Sequence, residues 1–405
     1  MPFLDDSSLS SDTIERRDLF NLAITRKRQL SLDRIAPEFW SLAMRQVQPL
    51  EDGRTLCDGR SMSMFASNDY LGLGNHPEVR TAAVEAIHNW GTSSSGSRLL
   101  NGTLPIHEQL EERLRALKRA QSVVLFQNGY MANLGTLSAV LGPGDAVFVD
   151  SLVHASVIDG CKMAGASLHR FPHQNVEILE QQLTKLDAST SFLVVVDGIY
   201  SMDGDFSPLQ ELLDVTHRFG GRLMVDDAHA TGVAGINGAG SAEHFGIPEA
   251  DIVTGTLSKA FGSLGGYVAT SEAIAKLIKA NAHPFIYSTS PAPATAAGAD
   301  KALEIAEREP DRRKRLWENT DHLRTVLIRL GLNTGSSVTP IVPVIFNEEH
   351  TMFRLALALD KANIFVAPII FPACPKNSPR LRFTVTSNHS TADIDEVANT
   401  LKQFV

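Results

Sequence analysis

Lys259 stands in Thr256-Leu257-Ser258-Lys259-Ala260-Phe261-Gly262, a run too apolar and small-sided for a solvated lysine face. A short β-like stretch, Asp251-Ile252-Val253-Thr254-Gly255, leads into it. Upstream, Leu223-Met224-Val225-Asp226-Asp227-Ala228-His229 reads as a hydrophobic strand ending in Asp-x-x-His. A lysine amine can form an imine, and a strand-end aspartate can hold a pyridine nitrogen protonated. Together they suggest a pyridoxal 5'-phosphate (PLP) site, in which the protonated ring acts as an electron sink. Singly, each residue has a plainer reading: a surface lysine, an aspartate capping a loop, a histidine bonded to backbone. All three in this order favour the cofactor.

The surrounding pattern says what must position them. Short apolar runs at 122–126, 145–149, 192–196, 222–226, 251–254 and 266–269 read as strands. Amphipathic stretches separate them. In 106–118, Ile106, Leu110, Leu114 and Leu117 share one face, and Pro105 suits the first turn. Near-continuous apolar strands alternating with helices imply an α/β fold, a mostly parallel sheet sandwiched by helices. The expected organisation is an N-terminal arm over 1–60, a large cofactor-binding domain over 61–290 and a smaller C-terminal α/β domain over 291–405. Runs at 341–346 and 381–386 would be strands of the last.

The chain has 405 residues, of which 43% are hydrophobic and 20% charged, the balance of an ordinary globular protein. A net charge of −9 argues against nucleic acid or an anionic membrane as partner. Cys57, Cys161 and Cys374 lie far apart, with no Cys/His ligand cluster, so no metal site or disulfide framework is indicated. The reducing cytoplasm is the expected compartment. The acidic, polar N-terminus lacks a signal-peptide core, and no apolar run is long enough for a transmembrane segment.

From about residue 66 to 390 the sequence resembles the α-oxoamine synthases, acyltransferases of PLP fold type I. The ordered motifs are Asn68-Asp69-Tyr70-Leu71-Gly72-Leu73, Gly96-Ser97-Arg98-Leu99-Leu100-Asn101-Gly102-Thr103, Asn128-Gly129-Tyr130-Met131-Ala132-Asn133, His154-Ala155-Ser156 and Ser201-Met202-Asp203-Gly204-Asp205. The Asp226–His229 and Thr256–Lys259 segments and Leu381-Arg382-Phe383 follow. The motifs lean towards two branches of the family at once. The resemblance implies decarboxylating condensation of a small amino acid (serine, alanine or glycine) with an acyl thioester, carried by CoA or a carrier protein. The products are an α-amino ketone, carbon dioxide and free thiol. It also implies a homodimer with shared active sites.

It assigns roles as well. Lys259 is expected to be covalent anchor and then base, Asp226 the partner of the pyridine nitrogen, and His229 and Ser201 partners of the phenolic oxygen. His154 is expected to stack on the ring. Gly129 and Tyr130, at a helix N-terminus, offer backbone N–H groups to the phosphate, with Thr256 and Ser258 adding hydroxyls. Ser288 and Thr289 are expected to reach a neighbouring subunit's phosphate; their plainer reading is a helix N-cap. Arg382 suits the substrate carboxylate because guanidinium binds it bidentately, with Arg380, two residues away on the same strand face, as the fallback. Asn68 and Tyr70 complete the substrate pocket. Two other readings stay open: another fold type I PLP enzyme, such as an aminotransferase or decarboxylase, and a non-catalytic subunit of a heteromeric synthase. The presence of Lys259, Asp226, His229 and His154 together argues against the subunit.

Overall fold

The computed structural model describes residues 36–50 and 53–404; the polar opening of the expected arm, 1–35, lies outside the described residues. The chain divides into two units, Met1–Arg45 and Gln46–Val405. In the first, Pro37–Leu42 is a short helix with proline in its first turn, where Phe39 and Trp40 meet edge-on at 5.4 Å.

In the second unit, strands are numbered along the chain. β1 (Val47–Pro49), β2 (Thr55–Cys57) and β3 (Arg60–Met64) form a small antiparallel sheet. The central sheet comprises β4 (Ser122–Phe126), β5 (Ala146–Asp150), β6 (Ser167–Phe171), β7 (Phe192–Asp197), β8 (Arg222–Asp226), β9 (Ile252–Thr256) and β10 (Gly266–Thr270). Its order is β4-β10-β9-β8-β7-β5-β6. From β9 through β6 every pairing is parallel, and β10 runs against both its neighbours. β11 (Ile341–Ile345), β13 (Ala367–Ile369) and β14 (Arg380–Thr384) form a three-stranded antiparallel sheet, and β12 (Ile364–Phe365) extends the first sheet beside β3.

The central sheet is apolar on both faces because side chains alternate along each strand. Val147, Val149, Val195 and Met224 pack into one core with the helix residues Ala132, Leu137 and Val157. Ala146, Phe148, Val194, Val196 and Val225 pack into the opposite core with Leu179, Leu212 and Leu213. The six strands expected in this sheet are present to within two residues at each end. β6 was not anticipated: of Ser-Leu-His-Arg-Phe only Phe171 is buried, as suits a polar edge strand.

The helix Pro105–Lys118 buries Ile106, Leu110 and Leu114 as expected. Leu117 is only half-buried, and Lys118 takes the core position instead. Its amine reaches Asp227 at 2.8 Å, both side chains being 1% exposed, so a charge pair substitutes for an apolar contact. Among the described residues no helix is long and apolar enough to cross a membrane.

The chain passes from β5 to β6 on one side, then places β7 on the other side of β5. Such a reversal opens a crevice at the carboxyl ends of the strands, where open α/β sheets bind ligands. Asp197 ends β7, Asp226 ends β8 and Thr256 ends β9, and Asp197 and Asp226 lie side by side in register.

Candidate active site

A cavity of about 250 Å³ opens over these strand ends. Gly129, Tyr130, His154, Ser201, Asp226, His229, Thr256, Ser258 and Lys259 line it, so the fold gathers nine of the expected residues from across the chain. Asn128, Asn133, Ser156, Asp197, Ile199 and Ala228 complete the wall.

Lys259 leaves the loop after β9 with its Nζ 3.0 Å from His229 Nε2. The same imidazole meets the Tyr70 hydroxyl through Nδ1 at 2.7 Å. Burial lowers the Lys259 pKa to about 8; the nearby Arg382 charge pushes the same way, against Asp226 and Asp197. Burial, then the Lys259 charge, holds His229 well below its ordinary value, which keeps the ring neutral. A neutral ring carries one N–H, so one nitrogen donates and the other accepts.

Asp226 is fixed at the cavity floor. Asn133 Nδ2 donates to Asp226 Oδ2 at 2.6 Å, and the Ala228 N–H donates to Oδ1 at 3.0 Å. Asn133 is itself oriented, donating to Ser156 Oγ at 2.9 Å and accepting from Thr254 Oγ1 at 2.7 Å. Beside Asp226, the Asp197 carboxyl is raised well above the carboxylate range, by burial first and then by the Asp226 charge. Its Oδ1 accepts the His154 N–H at 3.3 Å.

The helix Gly129–Val140 points its N-terminus at the cavity. Asn128 caps it by accepting the Met131 N–H, while the Gly129 and Tyr130 N–H groups precede any intrahelical acceptor. A Cβ on Gly129 would stand 3.0 Å from Thr256 Cβ, so glycine keeps the cradle open. Thr256 Oγ1 and Ser258 Oγ lie 2.7 Å apart beside it. An amine, a strand-end carboxylate and an anion-binding helix terminus with two hydroxyls form the donor set that PLP requires. The residues therefore fit the cofactor.

The other expected residues lie around this cavity rather than in it. Tyr70 is 1% exposed, and its hydroxyl meets His229 and also interacts with the Arg382 guanidinium. Asn68 Oδ1 accepts from both terminal nitrogens of Arg382 at 3.2 Å. Arg382 also donates to the Ser201 carbonyl at 2.6 Å and to Thr384 Oγ1 at 2.9 Å. Among the described residues it has no carboxylate partner. Arg380, by contrast, already has a carboxylate partner, Asp203 at 2.8 Å. His154 caps the helix Ala155–Ala164, accepting the Ser156 N–H, and meets the Tyr130 ring edge-on at 6.1 Å. Ser288 and Thr289 do not line this cavity; they follow the helix His283–Ile286 and the exposed Tyr287, Ser288 half-buried and Thr289 exposed in an antiparallel bridge with Ser97.

Asn133 and Asp197 were missed. Asp197 carried the same sequence signal as Asp226, an aspartate closing an apolar strand. Asn133 closes the Asn128–Asn133 motif, but nothing local marks it as the partner of Asp226, which is distant in the chain.

Comparison with known proteins agrees with this geometry. The family described as aminotransferase class I and II matches residues 60–401. An 8-amino-7-oxononanoate synthase of Symbiobacterium thermophilum is 41% identical over 355 residues, 87% of this chain and 91% of that one. A serine palmitoyltransferase of Sphingobacterium spiritivorum is 37% identical over 353 residues, 87% and 88% of the two chains. A solved serine palmitoyltransferase of S. paucimobilis with a bound PLP–myriocin aldimine superimposes with a TM-score of 0.89, at 31% identity over 96% of this chain and 98% of that one. The two branches towards which the motifs lean are thus both among the relatives. This chain belongs to the class I and II aminotransferase family and, within it, to the PLP-dependent α-oxoamine synthases, acyltransferases that condense an amino acid with an acyl thioester and release carbon dioxide.

Proposed function

We propose that the substrates are a small amino acid (serine, alanine or glycine) and an acyl thioester of CoA or a carrier protein, and that the cavity residues divide the work as follows. Lys259, Asp226, His229, Ser201 and His154 hold the cofactor ring, and Gly129, Tyr130, Thr256 and Ser258 hold its phosphate. When bound, PLP supplies the electron sink that stabilises negative charge on the amino acid α-carbon. The observation that carries this reading is the Lys259 amine, 3.0 Å from His229 and with its pKa brought down to about 8.

A base must be unprotonated to act. At pH 7.5 roughly a quarter of such amines are neutral, against about one in a thousand for an unperturbed lysine. Lys259 first anchors the cofactor and then takes the α-proton. Arg382, held by Asn68 and the Ser201 carbonyl and free of any carboxylate partner among the described residues, binds the substrate carboxylate. The neutral His229 bridges Lys259 and Tyr70, steering the amine without competing for its proton.

The enzyme works as a cytoplasmic homodimer in this reading. The segment carrying Ser288 and Thr289 then reaches the phosphate in the partner's cavity. The test is free-thiol release by the PLP-loaded protein across acyl-CoAs of graded length, each with serine, alanine or glycine. Release that needs both an amino acid and one chain-length class supports the reading. Glutamate formed from 2-oxoglutarate without thiol release would sink it.

A further inference from the structure

Behind the cavity, His173 joins two buried carboxylates. Its Nδ1 lies 3.1 Å from both oxygens of Asp150, the last residue of β5, and its Nε2 lies 3.2 Å from Asp205 Oδ2. Asp150 and Asp205 are 1% and 6% exposed. A carboxylate only accepts, so the ring satisfies both by donating from both nitrogens, as imidazolium. Burial opposes that charge, but the two carboxylates overcome it and raise the His173 pKa to about 10.

Asp205 closes the turn Tyr200–Asp205. The Tyr200 N–H donates to the Asp205 carbonyl at 3.0 Å and the Gly204 N–H to the Tyr200 carbonyl at 2.9 Å. Gly204 has φ +71°, and a Cβ there would stand 2.1 Å from the Ile341 carbonyl oxygen, so the turn is pressed against β11. The His173 ring packs edge-on against Tyr200 at 4.4 Å. This turn carries Ser201, whose carbonyl accepts Arg382 Nε at 2.6 Å. One continuous chain of short contacts therefore runs from β5 through His173 and Asp205 to Arg382.

We infer that His173 is a positioning residue for amino acid binding: its two-carboxylate bridge fixes the Tyr200–Asp205 turn, which in turn aims Arg382. The inference rests on the assignment of Arg382 to the substrate carboxylate. It predicts that loosening His173 weakens amino acid binding while leaving acyl thioester binding alone. Loss of one charge-assisted hydrogen bond sets the scale, about tenfold.

The test compares His173→Gln, Asp205→Asn and Arg382→Ala in the PLP-loaded enzyme. Removing the ring altogether takes the cation from two buried carboxylates that keep only neutral donors, Leu152 and Gln174 N–H on Asp150 and Ser336 Oγ on Asp205, whereas glutamine keeps a donor and asparagine removes the charge from the other end of the bridge. Either of the first two variants, once loaded with PLP, is expected to raise the amino acid KM about tenfold, with unchanged thioester KM. Adding either to Arg382→Ala is expected to raise it no further, because both act through the same guanidinium. A folded, loaded His173→Gln or Asp205→Asn enzyme with wild-type amino acid KM overturns the inference, as does a fully additive double variant. Arg382→Ala with wild-type amino acid KM overturns instead the carboxylate assignment on which the inference rests.

Discussion

The Lys259 amine and the His229 imidazole meet at 3.0 Å, and the far side of that ring is held by the buried Tyr70 hydroxyl at 2.7 Å. The arrangement places a lysine of lowered pKa against a histidine kept neutral, so neither group competes for a second proton near neutral pH. A catalytic base with a pKa near the working pH is the arrangement general base catalysis favours.

Covalent loading of the cofactor-free protein with PLP should follow the free-amine fraction of Lys259. The rate, read from the absorbance of bound cofactor, is expected to rise with pH around a midpoint near 8. Lys259→Arg keeps the charge and should load none covalently. The same lowered pKa has a stability consequence. The unfolded chain holds the lysine proton up to about 10.5 while the folded chain releases it near 8, so the fold gains stability as pH rises between those values. Lys259→Met should remove that gain in denaturation curves. A loading midpoint near 10.5 would contradict the assigned environment.

Asp226→Asn removes the charge proposed to keep the cofactor nitrogen protonated but leaves the Asn133 and Ala228 contacts a similar shape to meet. Exchange of the amino acid α-proton with deuterated water should slow at least about tenfold, equivalent to about 1.4 kcal/mol of activation free energy. Exchange at the wild-type rate in a loaded variant would remove Asp226 from the electron-sink role.

Lys118→Met tests the layer beneath the site. It breaks the 2.8 Å pair with Asp227 and leaves a buried carboxylate, 1% exposed, next in sequence to Asp226. Breaking a buried pair by removing one partner costs about 3–5 kcal/mol. Urea unfolding of the cofactor-free protein should show a loss of that size, and a loss under about 1 kcal/mol would mean that Asp227 is satisfied by Ser241 and its neighbours alone.

The central strands were legible because they are buried on both faces. β7 and β8 hold almost unbroken apolar runs ending in aspartate, and the β8 ending, Asp226, also marked the site, while the β7 ending, Asp197, was missed. β6 escaped because an edge strand needs only one buried residue, here Phe171. Lys118 escaped because helical periodicity cannot announce a buried charge whose partner, Asp227, lies far along the chain. Arg380, two residues from Arg382 on the same strand face, stood as its fallback. What separates them is Asp203, brought by a distant turn. Tyr70 was placed in the substrate pocket by motif; its hydroxyl sits between His229 and the Arg382 guanidinium, two partners distant in the chain. Nine residues of the cavity wall were thus readable from the sequence, while Asn133 and Asp197 in the same wall, and the residues that orient the site, depend on long-range packing.

The most direct test of the central claim follows carbon dioxide and thiol together. Carboxyl-labelled serine, alanine or glycine is incubated with the loaded enzyme, with and without an acyl-CoA, and with Lys259→Ala in parallel. The account predicts one labelled carbon dioxide per thiol released, none without the thioester, and none with Lys259→Ala. Carbon dioxide released without thioester, or equal turnover by Lys259→Ala, would contradict it.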